Sequence, residues 1–190
     1  MVRFDRRGEK AYNPYLMDEQ ILKICKYGED VLRLKAATVK DINQQLVDLI
    51  GRMARSMYHT HNGVGLAAPQ VGRSLQLSII DISMGTNPDD FMVMINPVII
   101  ETGGEEVGDE GCLSLPGFMM PVKRHARLVL QYFDLQGKEQ KKEFEGFKAR
   151  VVQHEIDHLD GTLIIDRVSA LKRQLVKKEI KRLQRDGQWK

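Results

Sequence analysis

The stretch Gln153-His154-Glu155-Ile156-Asp157-His158, followed by Leu159-Asp160-Gly161, organises the chain. In an α-helix His154 and His158 lie about one turn apart on the same face, with Glu155 beside them. Two imidazoles so placed can hold one divalent ion, and the carboxylate can act as a general base on water. The stretch therefore predicts a central helix that carries a site for metal-assisted hydrolysis.

A site of this kind needs a third protein ligand, and the chain offers three candidates. The histidine expected six residues after His158 in metzincin proteases is replaced by Ile164, which cannot bind metal, so that class is excluded. Glu179 has the separation typical of thermolysin-type proteases, although an ordinary salt bridge on a basic helix also explains it. Cys112 could supply a thiolate, or could be a buried free thiol. These residues alone leave the last two alternatives open.

Composition indicates an ordinary globular chain. The 190 residues suit one domain, and two cysteines are too few for a disulfide framework, which favours a reducing, cytoplasmic location. Residues 1–18 lack the apolar core of a signal peptide and are interpreted as an extension of unknown role. No apolar run is long enough to span a membrane. Residues 169–190 contain eight Lys or Arg and two acidic residues, so attraction to a polyanion is concentrated there.

Apolar periodicity predicts the α+β class, with antiparallel β-sheets packed around the central helix. An N-terminal amphipathic helix is expected to begin at Asp41, and a C-terminal basic helix at Ser169. The C-terminal helix is predicted to place Ala170, Leu171, Leu175, Val176, Ile180 and Leu183 on one side. Strands are predicted over residues 21–24, 75–81, 91–95, 98–100, 127–133 and 140–144. The central helix is expected to begin near Gly146 and to stop at Gly161.

Residues 63–70, Gly-Val-Gly-Leu-Ala-Ala-Pro-Gln, cannot continue a helix and let the backbone approach another group closely. They lack the Lys-Ser/Thr ending of a phosphate-binding loop. Taken alone, the run is read as a tight structural turn.

Three stretches together resemble peptide deformylase: residues 63–70, the Glu-Gly-Cys-Leu-Ser of residues 110–114, and Gln-His-Glu-x-Asp-His of residues 153–158. The resemblance extends over residues 21–168, so residues 19–168 are interpreted as the catalytic domain. It implies a metal-dependent hydrolase that removes the N-formyl group from the N-terminal formylmethionine of newly made polypeptides and releases formate.

The resemblance also implies roles for individual residues. The metal ligands would be Cys112, His154 and His158, with Fe²⁺ the expected ion and Zn²⁺, Ni²⁺ or Co²⁺ able to replace it. Glu155 would be the general acid and base for a metal-bound water nucleophile. Gln70 and the backbone N–H of Leu113 would stabilise the oxyanion.

Further residues are matched to substrate binding and support. The substrate backbone would pair near Gly65, with its methionine side chain against Val64 and Val151. Glu110 and Arg124 are interpreted as a pair that supports the metal ligands. The apolar Met119 and Met120 leave the preference for downstream residues open.

The implied partners are the formylated polypeptide and, through the basic helix of residues 169–190, the ribosome. Sequence-specific nucleic-acid binding is not expected. Two alternatives remain at this stage: a thermolysin-type zinc endopeptidase that uses Glu179 as its third ligand, and a catalytically inactive ribosome-binding module.

Overall fold

A computed structural model describes residues 21–189, which form three α-helices and seven β-strands. The helices are α1 (Gln44–His59), α2 (Gly146–Leu159) and α3 (Ala170–Arg185). The strands are β1 (Gly65–Ala67), β2 (Leu77–Ile80), β3 (Met92–Gly103), β4 (Glu106–Cys112), β5 (Leu115–Arg124), β6 (Arg127–Phe133) and β7 (Glu139–Glu145). The predicted α+β class is confirmed. The predicted extension of residues 1–18 lies outside the described residues.

Five strands form one antiparallel sheet in the order β1-β2-β3-β6-β7, and β4 pairs with β5 in a separate hairpin. Two strands were expected around Asn96-Pro97, but β3 runs through both residues as one strand with a bulge. Asn96 adopts a positive φ of 51° and bonds the backbone of Val39 through both side-chain atoms. A bulge accommodates the missing N–H of Pro97 without ending the strand.

Helix α2 lies against the five-stranded sheet, where Ala149, Val151 and Val152 pack in a core cluster with strand residues such as Leu128 and Leu130. The same helix buries polar side chains, and Gln153 holds it in place. Gln153 accepts from the backbone N–H of His125 at 3.0 Å and donates to its carbonyl at 2.9 Å. Gly161, at φ 70°, follows the end of the helix as predicted.

Helix α1 begins two residues later than predicted. Asn43, rather than Asp41, is the N-cap, and its side chain accepts from the backbone N–H of Leu46 at 3.1 Å. The helix buries Leu49 and Met53 in a core cluster shared with β1 and β2. This packing fixes the position of the short β1 strand that borders the site.

The strand expected over residues 21–24 is absent from the structure. Cys25 donates its N–H to the carbonyl of Gln70 at 2.7 Å, and Tyr27 donates to the carbonyl of Ser114 at 2.8 Å. These bonds reach two different segments, the short 3₁₀ helix that contains Gln70 and the turn between β4 and β5, so no ladder with a single neighbouring strand forms.

Helix α3 is capped by Ser169, as predicted, and packs on the domain through Val176 and Ile180. Leu171 and Leu175, expected on the same packed side, are 67% and 57% exposed. They fall on a different stripe of the helix from Val176 and Ile180. Among residues 21–189, no helix is both long enough and apolar enough to cross a membrane.

Candidate active site

The side chains of Cys112, His154 and His158 come together between the end of β4 and one face of α2. Their ligand atoms all lie within 4.8 Å of one another, and within residues 21–189 they are the one such set of three metal-binding side chains. The Sγ of Cys112 lies 3.3 Å from Nε2 of His158. One thiolate and two imidazoles suit a divalent transition metal, so this donor set fits the predicted metal.

The charges around Cys112 favour its metal-binding form. Burial alone raises the pKa of the thiol, but the neighbouring His158 and His154 outweigh this and hold its pKa well below the usual value. For His154, burial opposes protonation, yet hydrogen bonds with Cys112 and Glu110 raise its pKa well above the usual value. A thiolate is the form of cysteine that ligates metal, so this environment favours the form of Cys112 that a metal site requires.

Glu110 orients His154. Its carboxylate lies 2.9 Å from Nδ1 of His154, which leaves Nε2 to face Cys112 and His158. Burial raises the pKa of Glu110, but hydrogen bonds from Arg124 and His154 dominate and lower it to about 2. Glu110 is therefore an anion at neutral pH and can accept a hydrogen bond from the Nδ1–H of His154.

Arg124 donates two hydrogen bonds of 2.9 Å to the Glu110 carboxylate. Its third nitrogen, Nη1, donates to Asp157 at 2.5 Å. Two residues without a predicted role complete the network. Arg150 donates to Glu110 at 2.8 Å, and Arg167 pairs with Asp157. Because Arg150 precedes His154 by four residues, helical spacing could have indicated it, whereas nothing in the sequence links Arg167 to this site.

We expect Arg124→Leu to lower the free energy of unfolding by about 3–5 kcal/mol, because it removes one partner of a buried charge network. Arg124 is only 3% exposed, so water cannot replace it. Metal affinity should also fall by about 10- to 100-fold, since Glu110 loses its orientation. Urea denaturation and metal titration measure these two effects.

Arg127→Leu is the matched control, because Arg127 pairs with Glu143 at 2.8 Å with both side chains half exposed. Loss of this exposed ion pair should lower the free energy of unfolding by less than about 1 kcal/mol. Equal stability of the two variants would contradict the assigned importance of the buried network.

Glu155 follows His154 on the same helix and is buried. Among residues 21–189, its Oε2 has no hydrogen-bond partner. Burial raises the pKa of Glu155 to about 7, against the opposing charges of His154 and His158. A carboxylate with a pKa near neutrality can both take up and release a proton.

Gly65 leaves space for Glu155. A Cβ atom on Gly65 would lie 2.3 Å from Oε1 of Glu155 and 2.8 Å from its Cδ. A side chain at this position of β1 would therefore displace the Glu155 carboxylate, which gives a structural reason for one glycine of residues 63–70.

We expect Gly65→Ala to lower kcat by about 10- to 100-fold, because the new methyl group displaces the Glu155 carboxylate from its position. Gly103→Ala is a suitable control, since the three atoms nearest to a Cβ there all belong to the half-exposed side chain of Arg127, the nearest at 3.1 Å. Steady-state kinetics should separate the two variants, while their thermal unfolding stays similar. Undiminished kcat in Gly65→Ala would contradict this role of the glycine.

Gln70 lies in a 3₁₀ helix (Ala68–Val71) directly after β1. Its Oε1 accepts from the backbone N–H of Ala67 at 2.8 Å, which directs Nε2 toward Ser114 Oγ at 3.3 Å and Cys112 Sγ at 3.7 Å. Leu113 follows Cys112 in the turn between β4 and β5. The structure thus brings residues 63–70 and residues 110–114 together beside Cys112.

A cavity of about 720 Å³ opens onto these groups. Val64, Gly65 and Val151 line it together with His154 and Glu155. Of the two downstream methionines, Met119 lies in the cavity wall, whereas Met120 is fully buried in the core, as expected for alternating residues of a strand.

Glu179 lies apart from this site. It is on α3 and forms hydrogen bonds of 2.6 and 3.0 Å with Arg182. The arrangement is the ordinary salt bridge of a helix surface.

A family model described as polypeptide deformylase matches residues 21–174. The chain belongs to the peptide deformylase family. Peptide deformylase from Thermodesulfovibrio yellowstonii is 48% identical over 161 residues, which cover 85% of this chain and 97% of that protein. The peptide deformylase of Acidobacterium capsulatum is 44% identical over 169 residues, covering 89% and 99% of the two chains.

Solved peptide deformylases have the same fold. The crystal structure from Legionella pneumophila superposes with a TM-score of 0.83 at 38% identity, covering 90% of this chain and 99% of that one. A Met-Ala-Ser-bound peptide deformylase from Acinetobacter baumannii gives a TM-score of 0.73 at 38% identity, covering 80% and 100%.

Peptide deformylases are metal-dependent hydrolases that remove the N-formyl group from newly made polypeptides. Membership of the family confirms the predicted enzyme class and the general reaction for this chain.

Proposed function

We propose that Cys112, His154 and His158 bind one divalent ion, and that Glu155 transfers the protons of deformylation. The supporting observation is the convergence of three ligand atoms within 4.8 Å beside a buried carboxylate with an unpartnered oxygen. The proposed ion is Fe²⁺, although Zn²⁺, Ni²⁺ and Co²⁺ suit the same donors. When bound, the ion supplies the Lewis acidity that polarises a carbonyl and acidifies water.

The chain's own residues account for the remaining steps. Glu155 accepts a proton from the water that attacks the formyl carbon. Gln70 Nε2 and the Leu113 N–H donate hydrogen bonds to the formyl oxygen as charge develops on it. Glu155 then gives the proton to the departing nitrogen, so that the C–N bond breaks and formate and a free amine are the products.

Substrate binding follows from the cavity. The backbone of the peptide lies extended beside Gly65, and the methionine side chain enters the apolar part between Val64 and Val151. Residues 19–168 form the proposed catalytic domain. Because a thiolate ligand must stay reduced, we propose the cytoplasm as the location, which fractionation of the source cells would test.

The reaction is tested by anaerobic loading of the purified chain with Fe²⁺ and assay of formate release from formyl-Met-Ala-Ser. Acetyl-Met-Ala-Ser, in which a methyl group fills the position of the formyl hydrogen, is the control. Release of formate with no cleavage of the acetyl peptide is expected. Absence of formate would overturn the proposal in favour of an inactive module.

We further propose that the ribosome binds the exposed face of α3. This face combines the exposed Leu171 and Leu175 with several lysines, which suits an anionic surface that also offers apolar contacts. The alternative is a solvated helix face. Substitution of Lys177, Lys178 and Lys181 by Gln should abolish salt-dependent pelleting with ribosomes and leave tripeptide deformylation unchanged. Unchanged pelleting would overturn the docking proposal.

A further inference from the structure

Lys26 is half-buried at the edge of the cavity and contacts the loop that follows the cysteine ligand. Its Nζ donates to the backbone carbonyl of Leu113 at 2.9 Å. Lys26 also lines the cavity, and its own backbone N–H donates to the Glu29 carboxylate at 2.8 Å, which orders this part of the chain. Its ammonium group therefore connects the N-terminal segment to the proposed oxyanion site.

The contacted loop is a two-residue turn, Leu113 and Ser114, between the paired residues Cys112 and Leu115. Groups outside the hairpin hold this turn at three points. Lys26 binds the Leu113 carbonyl, the N–H of Tyr27 binds the Ser114 carbonyl at 2.8 Å, and Gln70 binds the Ser114 hydroxyl at 3.3 Å. Of these three bonds, the one from Lys26 is made to Leu113 itself, whereas the other two are made to Ser114.

We propose that Lys26 is a positioning residue that fixes the direction of the Leu113 N–H toward the formyl oxygen. The inference rests on the proposed role of Leu113 in the reaction. The Leu113 N–H and the Leu113 carbonyl belong to the two rigid peptide groups that meet at its Cα. Only the φ and ψ angles of Leu113 separate these groups, so a fixed carbonyl reduces the orientations open to the N–H. A charge-assisted hydrogen bond is strong enough to provide that restraint. Donors held in place before the reaction stabilise developing charge without reorganisation.

The test compares Lys26→Met, which keeps an unbranched side chain of nearly the same length but removes the donor, with Lys26→Arg, which keeps a donor. In the Fe²⁺-loaded protein we expect Lys26→Met to lower kcat for formyl-Met-Ala-Ser by about tenfold, less than the loss of a whole oxyanion donor. KM and metal content should stay within about twofold, since restraint of this N–H acts on the transition state. Lys26→Arg should recover most of kcat.

The matched control is Lys23→Met, because Lys23 lies in the same segment with its side chain 82% exposed. It should retain full activity. A second substrate, thioformyl-Met-Ala-Ser, separates positioning from a general structural effect. Sulfur is a weak hydrogen-bond acceptor, so Lys26→Met should lower turnover of the thioformyl peptide by less than about threefold.

Equal losses of kcat on the two substrates, or unchanged kcat on both, would overturn the positioning role. A rise in KM without a fall in kcat would also overturn it, since that result assigns Lys26 to substrate binding. Inactivity of the unsubstituted chain is a different outcome, because it overturns the proposed function itself and this inference with it.

Discussion

Glu155→Gln is expected to lower kcat for formate release by about 10²- to 10⁴-fold, the range that general acid-base catalysis contributes. Glutamine has nearly the same shape but cannot accept a proton from water. The carboxylate is buried, and its pKa is raised to about 7, mainly by burial. Replacement by a neutral amide should therefore leave the fold and the metal content intact. Steady-state kinetics and metal analysis on the same sample measure both effects.

Glu179→Gln is the matched control, since it makes the same substitution on α3, where Glu179 pairs with Arg182. It should have full activity and bound metal. Loss of metal in Glu179→Gln would instead support the thermolysin-type alternative. Near-normal kcat in Glu155→Gln would contradict the proposed proton transfer.

Cys112→Ala is expected to lower metal affinity by more than about 100-fold, beyond the 10- to 100-fold typical for loss of an outer hydrogen bond to a ligand. Formate release should disappear with the metal. Two imidazoles remain on α2, but alanine offers no donor atom to complete the set. Equilibrium dialysis against zinc measures the affinity without any need for activity.

Cys25→Ala tests whether loss of any buried thiol has the same effect. Cys25 is 7% exposed and belongs to a core cluster with Leu32 and Leu115. Its replacement should reduce stability modestly and leave zinc affinity unchanged. Retention of zinc by Cys112→Ala would exclude the thiolate as a ligand.

The sequence was sufficient for the elements whose signals are local. Helical spacing around His154 and His158 predicted α2, and Gly161 marked its end, because both depend on residues close in sequence. The fold class and the strands β6 and β7 follow from the same kind of pattern. The bulge at Asn96 was missed, because Pro97 in a strand pattern reads equally well as a break.

Contacts between distant segments could not be predicted in this way. Residues 21–24 have strand-forming side chains, but the following Cys25 and Tyr27 donate to two separate segments, a 3₁₀ helix and a turn. Lys26 is remote in sequence from Leu113, and no periodicity connects them. The place of Arg150 in the site could have been predicted, because Arg150 lies one helical turn before His154. The pairing of Arg167 with Asp157 could not, because it depends on how the chain turns after α2.

The chain has a single tryptophan, and its position has a practical consequence. After α3 the chain folds back, and the Trp189 ring lies 6.2 Å from that of Phe118, which lines the cavity. Trp189 thus belongs to the same apolar cluster as the core residues of α3. Because no other tryptophan contributes, the fluorescence emission of Trp189 should report whether α3 is packed on the domain. It should also respond to ligands that contact Phe118.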